Sequence, residues 1–572
     1  VKKLPIKKFL SFSCNIRQRL TNNTPVKKMA QTLVFHTLLI FLSLSIINSS
    51  LSSSVDRDSL PYLWPLPAEF TTGEETLSVD PAVSLIVAGD GGGSAIVRAA
   101  FERYMGMIFK HAYGRASSLL ARIRFLRVVE YDITSLKIIV HSDSEELQLG
   151  VDESYTLMVS KMNEQSIVGA ATIESKTVYG ALRGLETFSQ LCAFDYSTKS
   201  VQIYKAPWFI QDKPRFAYRG LLIDTSRHYL PIDVIKQIIE SMSYAKLNVL
   251  HWHIVDEQSF PLETPTYPNL WKGAYSRWER YTVEDASEIV RFAKMRGINV
   301  MAEVDVPGHA ESWGTGYPDL WPSLSCREPL DVTKKFTFDV ISGILSDMRK
   351  IFPFELFHLG GDEVNTGCWK NTTHIKEWLQ GRNFTTKDAY KYFVLRAQQI
   401  AISKKWTPVN WEETFSSFGK YLDPRTVVQN WLVSDICQKA VAKGFRCIYS
   451  NQGFWYLDHL DVQWDKVYNT EPLNGIKDPS HQKLVIGGEV CMWGETADTS
   501  VVLQTIWPRA AAAAERMWSS REAVSKGNIT LTALPRLHYF RCLLNNRGVP
   551  AAPVDNWYAR RPPSGPGSCY AQ

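Results

Sequence analysis

A chain of 572 residues with 45% apolar and 12% aromatic content can bury a large core and is long enough for two or more domains, which excludes a disordered or collagen-like polypeptide. Its 64 basic and 58 acidic residues look cationic, but residues 1–54 hold 8 basic and no acidic side chains, so the rest has 64 − 8 = 56 against 58. The excess positive charge belongs to the leader, and composition gives no support for a nucleic-acid partner.

The first 28 residues begin with Val1 and carry six Lys and two Arg; Met29 follows, then the apolar run LVFHTLLIFLSLSII and the small polar residues NSSLSSS. Met29 is the expected start of the native protein, with residues 1–28 outside it and 29–54 reading as a signal peptide region. An uncleaved anchor is the alternative, but the run is shorter than the roughly 20 residues that span a bilayer, and no other segment is apolar enough. No membrane span is expected in the mature chain. Export agrees with the cysteines: Cys192, Cys326, Cys368, Cys437, Cys447, Cys491, Cys542 and Cys569 include no Cys-x-x-Cys pair that would suggest zinc or a redox centre. Sequons at Asn371, Asn383 and Asn528 permit N-glycosylation.

Residues 55–210 read as a mixed α/β supporting domain. The runs VSLIVA and SLKIIVHS are strand-like, SAIVRAAFERYMGMIFKHA and TVYGALRGLETFSQLC have helical spacing, and no constellation of reactive groups stands out. Beyond PRFAYRG, buried apolar strands alternate with amphipathic helices. The strand-like runs are 220–224, 247–255, 298–306, 356–360, 408–411, 427–431, 447–450 and 484–492. Between them lie helical patterns such as PIDVIKQIIESMSYAKL, TVEDASEIVRFAKMRG with its glycine stop, and DAYKYFVLRAQQIAISKK. Eight such units predict an α/β fold with a (β/α)8 barrel over 211–550, followed by a tail at 551–572, and place chemistry at the carboxyl ends of the strands.

The polar residues follow that rule. Residues 224–227 succeed the first strand, Asp256 and Glu257 the second, Asp305 and His309 the third, Asp362 and Glu363 the fourth. Later strand ends supply Trp411 with Glu412 and Glu413, then Trp431, then Trp455 with Tyr456, then Trp493 with Glu495. A cup of aromatics with a few acids and one Arg suits sugar rings, whose C–H faces stack on aromatics while their hydroxyls need charged donors and acceptors.

The densest stretch, FHLGGDEVNTGCW at 357–369, has three readings. It is a satisfied buried acid pair at a barrel mouth, a metal site fed by His251 and His253, or a glycosidase acid. The metal reading needs further His ligands from later strands, which end instead in Trp, Asn, Glu and Tyr. The glycosidase reading meets a geometric objection: neighbouring residues on a strand point to opposite faces, so Asp362 and Glu363 are badly placed to flank one bond as acid and nucleophile. A substrate that uses its own 2-acetamido group as nucleophile removes the objection.

Eight motifs in order, RGLLIDTSRHYLP, LNVLHWHIVDEQSFP, EVDVPGHAESW, FHLGGDEVNTGCW, NWEE, QNWL, WYLDHL and GGEVCMWGE, carry a further signal. Through them the chain resembles the glycoside hydrolase family 20 β-N-acetylhexosaminidases over essentially its mature length, above all the plant vacuolar-type enzymes. The resemblance implies a smaller α/β domain before the barrel. It implies hydrolysis of terminal non-reducing β-GlcNAc or β-GalNAc from glycans such as N-glycans and chitooligosaccharides, with retention, through an oxazolinium intermediate. Glu363 would be the general acid and then base, Asp362 would hold the acetamido N–H and steady the positive charge, and Tyr456 would bond the acetamido oxygen. Arg227 and Glu495 would grip hydroxyls, Asp256 and His309 would tune Glu363, Trp411, Trp431 and Trp493 would wall the pocket, and Asp458 would match a neutral 6-hydroxyl.

A neighbouring carboxylate and partial desolvation would raise Glu363 and give a mildly acidic optimum. The resemblance also pairs Cys326 with Cys368 and Cys542 with Cys569, leaving Cys437, Cys447 and Cys491 as buried free thiols. It implies a glycan substrate, no cofactor, no metal, a vacuolar or extracellular destination and a possible homodimer. A metal-dependent amidohydrolase and an inactive carbohydrate-binding barrel are the alternatives.

Overall fold

The computed structural model describes residues 61–111, 131–161, 171–525 and 527–555. Strands of alternating burial build a first sheet: β1 (Glu69–Thr71), β2 (Glu75–Ala88), β3 (Ile133–Val140), β4 (Tyr155–Val159), β5 (Ala171–Ser175), β6 (Cys192–Asp195), β7 (Ser200–Ala206) and β8 (Trp208–Asp212). They run in the order β1-β8-β4-β5-β3-β2-β7-β6, parallel only where β3 meets β2 and β5. Helix α1 (Ala95–Ile108) starts at Ser94, whose hydroxyl accepts the Ile96 N–H, and α2 (Val178–Leu191) starts at Thr177, which accepts from Gly180.

Every residue of α2 is buried, and its charges are matched by partners outside the helix. Arg183 donates to Glu153 at 2.8 Å and to the Arg296 and Gly297 carbonyls, while Arg547 meets Glu186 at 2.9 Å. Glu153 also receives Arg219 at 2.7 Å. Removing one member of such a buried pair costs about 3–5 kcal/mol, which ties the two sheets together.

The second sheet is a closed, all-parallel barrel of β9 (Tyr218–Asp224), β10 (Val249–Val255), β11 (Asn299–Val304), β12 (Leu356–His358), β13 (Thr407–Trp411), β14 (Val427–Asn430), β15 (Arg446–Tyr449) and β16 (Val485–Met492). Around it lie helices such as α3 (Ile232–Tyr244), α4 (Val283–Lys294), α5 (Lys335–Ile351) and α6 (Thr386–Ser403); Thr282 with Asp285 and Thr385 with Asp388 form capping boxes. Each predicted strand run overlaps one barrel strand. The fourth is shorter than expected and ends at His358, because Gly360 and Gly361 take φ of 58° and 96°. The acid pair therefore sits on a loop, and the strand-face objection to it does not apply.

Inward-pointing residues climb the barrel in steps of two. The lowest row is apolar, with Tyr218, Val249, Met301, Leu356, Val409, Val427 and Ile448 in one cluster. Two residues on come His251, Glu303, His358, Trp411 and Gln429, all buried, and above them the mouth. The alternate residues Leu250, Trp252, Ala302 and Phe357 face outward into the core against the helices.

Two disulfides join pairs of described residues. Cys326 joins Cys368, as the resemblance implied. Cys437, on α7 (Ile436–Val441), joins Cys447 of β15 with their Cα atoms 5.5 Å apart, so these two are not the free thiols expected. The helix folds back on the strand that follows it, a juxtaposition that residue spacing alone does not reveal. Cys192 and Cys491 are free thiols. Cys542 is disulfide-bonded, and its expected partner Cys569 lies outside the described residues, as do the leader and most of the tail. Asn371, Asn383 and Asn528 are all exposed. No described helix is long and apolar enough to cross a membrane.

Candidate active site

Gly360 places the acid pair. A Cβ there would lie 1.9 Å from Asp305 Cγ, so only glycine lets the loop pass over the Asp305 carboxylate, which accepts the Gly361 N–H at 2.7 Å. The chain then delivers two acids into different surroundings. The Asp362 side chain is 12% exposed, whereas that of Glu363, at φ 47°, is 59% exposed. His309 Nε2 lies 3.6 Å from a carboxylate oxygen of each.

A chain of charges leads away from His309. Its Nδ1 is 3.1 Å from Asp256, which also meets His253 Nε2 at 2.8 Å and Arg227 at 2.9 Å. Arg227 reaches Asp224 at 3.0 Å and Glu495 at 3.7 Å, and its guanidinium lies 5.3 Å from the Trp493 ring centre. Burial opposes charge on Asp256, but hydrogen bonds from His253 and His309 hold its carboxyl well below the usual range. Burial likewise opposes charge on His309, and Asp362 first among its acidic neighbours overrides it, pushing the imidazole far upward.

The His309 cation reverses one expectation. The Glu363 carboxyl is held below the ordinary range, first by its interaction with His309, which outweighs the partial burial that opposes it. The proton-rich carboxyl is Asp305: burial and then the charge of Asp362 push it well above the usual range. Asp305 Oδ2 and Asp362 Oδ1 are both buried and have no hydrogen-bond partner.

Beneath the mouth, Glu303 is surrounded by His253 Nδ1 at 2.6 Å, His358 Nδ1 at 2.8 Å, His251 Nε2 at 3.1 Å and the Trp411 indole N–H at 3.0 Å. Glu489 takes His251 Nδ1 at 2.8 Å and Gln429 at 2.7 Å. Despite burial, Glu489 and Glu303 raise His251 to about 9, and Glu303 with Asp256 raises His253 to about 10. Two groups among the described residues have the donors for a metal, His251–Glu303–His358 and Asp305–His309–Asp362, each with ligand atoms within 4.8 Å of one another. In the first, the Glu303 carboxylate lies 2.8 Å from His358 Nδ1, which accepts the Gly360 N–H at 3.0 Å, and 3.1 Å from His251 Nε2.

The remaining predicted residues complete the wall. Trp411 and Trp493 have ring centres 6.0 Å apart, Trp493 and Tyr456 6.1 Å, and Trp431 and Tyr456 stack at 6.3 Å with 10° between planes. Asp458 follows Tyr456 closely, and burial raises its carboxyl to about 6 with His459 opposing. All eleven predicted site residues thus gather at one mouth. Sequence reasoning assigned no role to Asp305, Glu303, Glu413 and Glu489; the first three stand two residues from another inward-facing polar or aromatic group, or directly beside one, which was the available signal.

A parallel barrel whose mouth carries one largely buried acid, a neighbouring acid reaching into solvent and a wall of aromatic rings is built for cleaving glycosides. Residues 216–521 match the glycosyl hydrolase family 20 catalytic domain, and residues 63–191 match the "beta-acetyl hexosaminidase like" domain. The chain is 89% identical to beta-hexosaminidase 1 of Arabidopsis thaliana over 95% of its length and 100% of the relative's, and 52% identical to beta-hexosaminidase 3 of that plant over 92% and 97%. Among solved structures, the chitobiase of Flavobacterium johnsoniae aligns over 85% of this chain and 73% of its own with a TM-score of 0.73 and 27% identity. The chain belongs to glycosyl hydrolase family 20 and is a glycoside hydrolase of the β-hexosaminidase kind.

Proposed function

We propose that the protein removes terminal non-reducing β-linked GlcNAc or GalNAc from oligosaccharides and glycoconjugates, N-glycans and chitooligosaccharides among them, by substrate-assisted catalysis with retention. The observation that carries this reading is the division of surroundings between adjacent acids: Asp362 is sunk beside the aromatic cup, while Glu363 stands exposed at the rim. An acetamido oxygen of the substrate attacks C1 while Glu363 protonates the leaving oxygen, giving an oxazolinium ion. Asp362 takes the acetamido N–H and stabilises the growing positive charge, and Tyr456 bonds the acetamido oxygen. Glu363, now ionised, draws a proton from water, which attacks C1 from the face the aglycone left. Two inversions retain the β configuration.

Arg227 and Glu495 hold sugar hydroxyls, Trp411, Trp431 and Trp493 enclose the ring and acetamido group, and Asp458 meets a neutral 6-hydroxyl. Since His309 holds the free Glu363 carboxyl low, entry of the aglycone, which displaces water from this exposed side chain, restores the proton. The leader and sequons support passage through the secretory pathway to the vacuole or cell exterior, which tagging the full chain and following its location tests.

The deciding assay is nitrophenol release from β-GlcNAc, β-GalNAc and plain β-glucoside derivatives by wild type and Glu363→Gln. Equal activity on the plain glucoside would sink acetamido assistance, and a fully active Glu363→Gln would remove Glu363 from its role.

A further inference from the structure

Two neighbouring acids at the amino end of the short helix Glu412–Phe418 are not used by this mechanism, yet both reach toward the loop after β14. Glu412 is buried, and its Oε2 accepts the backbone N–H of Trp431 at 2.7 Å and of Leu432 at 3.0 Å, while Oε1 accepts that of Val433 at 2.9 Å. Three consecutive N–H groups are thus tied to one carboxylate. The tie is needed, because Leu432 and Val433 are 41% and 46% exposed and bring the loop little apolar anchorage. Glu413 takes the Trp431 indole: Nε1 lies 3.1 and 3.0 Å from its two oxygens. Held at backbone and ring, Trp431 stands nearly parallel to Tyr456.

We propose that Glu412 and Glu413 are positioning residues that fix Trp431, and so the gap between Trp431 and Tyr456, and thereby set which N-acyl groups the enzyme accepts. The proposal rests on the acetamido pocket argued above. An indole held by one hydrogen bond can swing about χ2 once the bond is lost, and a swung ring opens room for a longer acyl chain. Burial and then the charge of Asp362 raise the Glu413 carboxyl to about 8, so below that pH it is neutral and adds no second charge beside Asp362. A glutamine there keeps a carbonyl acceptor for the indole.

The test compares kcat/KM on nitrophenyl β-glucosaminides bearing N-acetyl or N-propionyl groups, with the plain β-glucoside as control. A well-fitted pocket discriminates by about tenfold or more for one added methylene. Glu413→Ala should lower that acetyl-to-propionyl ratio by at least about fivefold, while Glu413→Gln should keep it within about twofold of wild type. Trp431→Phe, which removes the indole N–H and leaves Glu413 intact, should relax the ratio by itself, and Glu413→Ala should add nothing in that background. If Glu413→Ala does not accumulate, Trp431→Phe decides alone. A wild-type ratio in folded Glu413→Ala or in Trp431→Phe overturns the proposal. Failure of the underlying reading looks different: the wild-type enzyme would then cleave the plain glucoside as fast as the N-acetyl compound.

Discussion

Replacing Asp305 with Asn should be nearly silent, whereas Asp305→Ala should damage both stability and rate. The contrast follows from one proton. Asp305 accepts the Gly361 N–H at 2.7 Å on one oxygen, while its other oxygen, like Asp362 Oδ1, is buried without a hydrogen-bond partner, and Asp362 is its nearest acidic influence. Burial and Asp362 push the Asp305 carboxyl well up, which favours its protonated form, with a proton to offer Asp362. An asparagine supplies the same pair of groups, a carbonyl for Gly361 and an N–H for Asp362. An alanine strands both, and each stranded buried group costs about 1–3 kcal/mol, or about 2–6 kcal/mol together. Asp362 would lose its anchor as well, and a misplacement of about 1 Å costs on the order of a hundredfold in rate.

Denaturant unfolding and nitrophenol release, both at mildly acidic pH, measure the two effects. The pH dependence supplies a sign. A carboxyl raised in the folded state binds a proton that the unfolded chain has released, so its stabilisation is present below the ordinary aspartate range and is lost as pH rises toward the raised folded value. Asparagine does not titrate. The stability of wild type relative to Asp305→Asn should therefore fall from about pH 4 upward. An Asn variant as crippled as the Ala variant, or a relative stability that grows with pH, would show Asp305 to be charged and refute the reasoning.

His309→Gln removes the cation that holds Glu363 low. The carboxyl then keeps its proton to higher pH, so the alkaline limb of the kcat/KM profile should move upward, and a limb that stays or moves down refutes the link. At 3.6 Å the bare attraction is about 5 kcal/mol at an effective dielectric of 20, which exposure of Glu363 screens to about 1 kcal/mol, so the displacement should be modest. The disulfides should differ in worth: chain entropy gives about 4 kcal/mol for Cys326–Cys368, which closes 42 residues, and about 2.7 kcal/mol for Cys437–Cys447, which closes 10. Paired Cys→Ser variants followed by thermal unfolding should rank them in that order, and only Cys326→Ser/Cys368→Ser should also lower kcat.

The barrel was legible because its inward rows leave a period-two mark. His251 and His253, Glu303 and Asp305, and His358 before Gly360 and Asp362 put polar groups at alternate positions of runs whose other members are Leu250, Trp252, Ala302 and Phe357. The same pattern could have exposed Glu303 as the hub of the middle layer. It could not tell which acid keeps a proton, because that depends on partners from other strands: Glu363 was expected high and lies low, since His309 from the β11 loop reaches it. The first sheet was less legible, its order being governed by pairings far apart in the chain. The Cys437–Cys447 bond was hidden for a similar reason, since it depends on how one helix turns back.

Backbone conformation was the other hidden element, and it links several features of the mouth. His309 and Glu363 take φ of 54° and 47°, a region that costs a residue with a side chain about 1–3 kcal/mol. Nothing in the composition of GHAESW or GGDEVN announces this. The strained His309 turn is held from outside: Glu328, two residues after Cys326, accepts the His309 N–H at 2.9 Å, and Cys326 is bonded to Cys368 in the short helix Gly367–Asn371 that follows the Glu363 loop. The disulfide thus joins the helix that follows one strained residue to the support of the other. Cutting it would let both relax toward ordinary φ, drawing His309 and Glu363 apart. That is why loss of this bond should reach catalysis, while loss of Cys437–Cys447, on the far side of the barrel sequence from the acid pair, should be felt in stability alone.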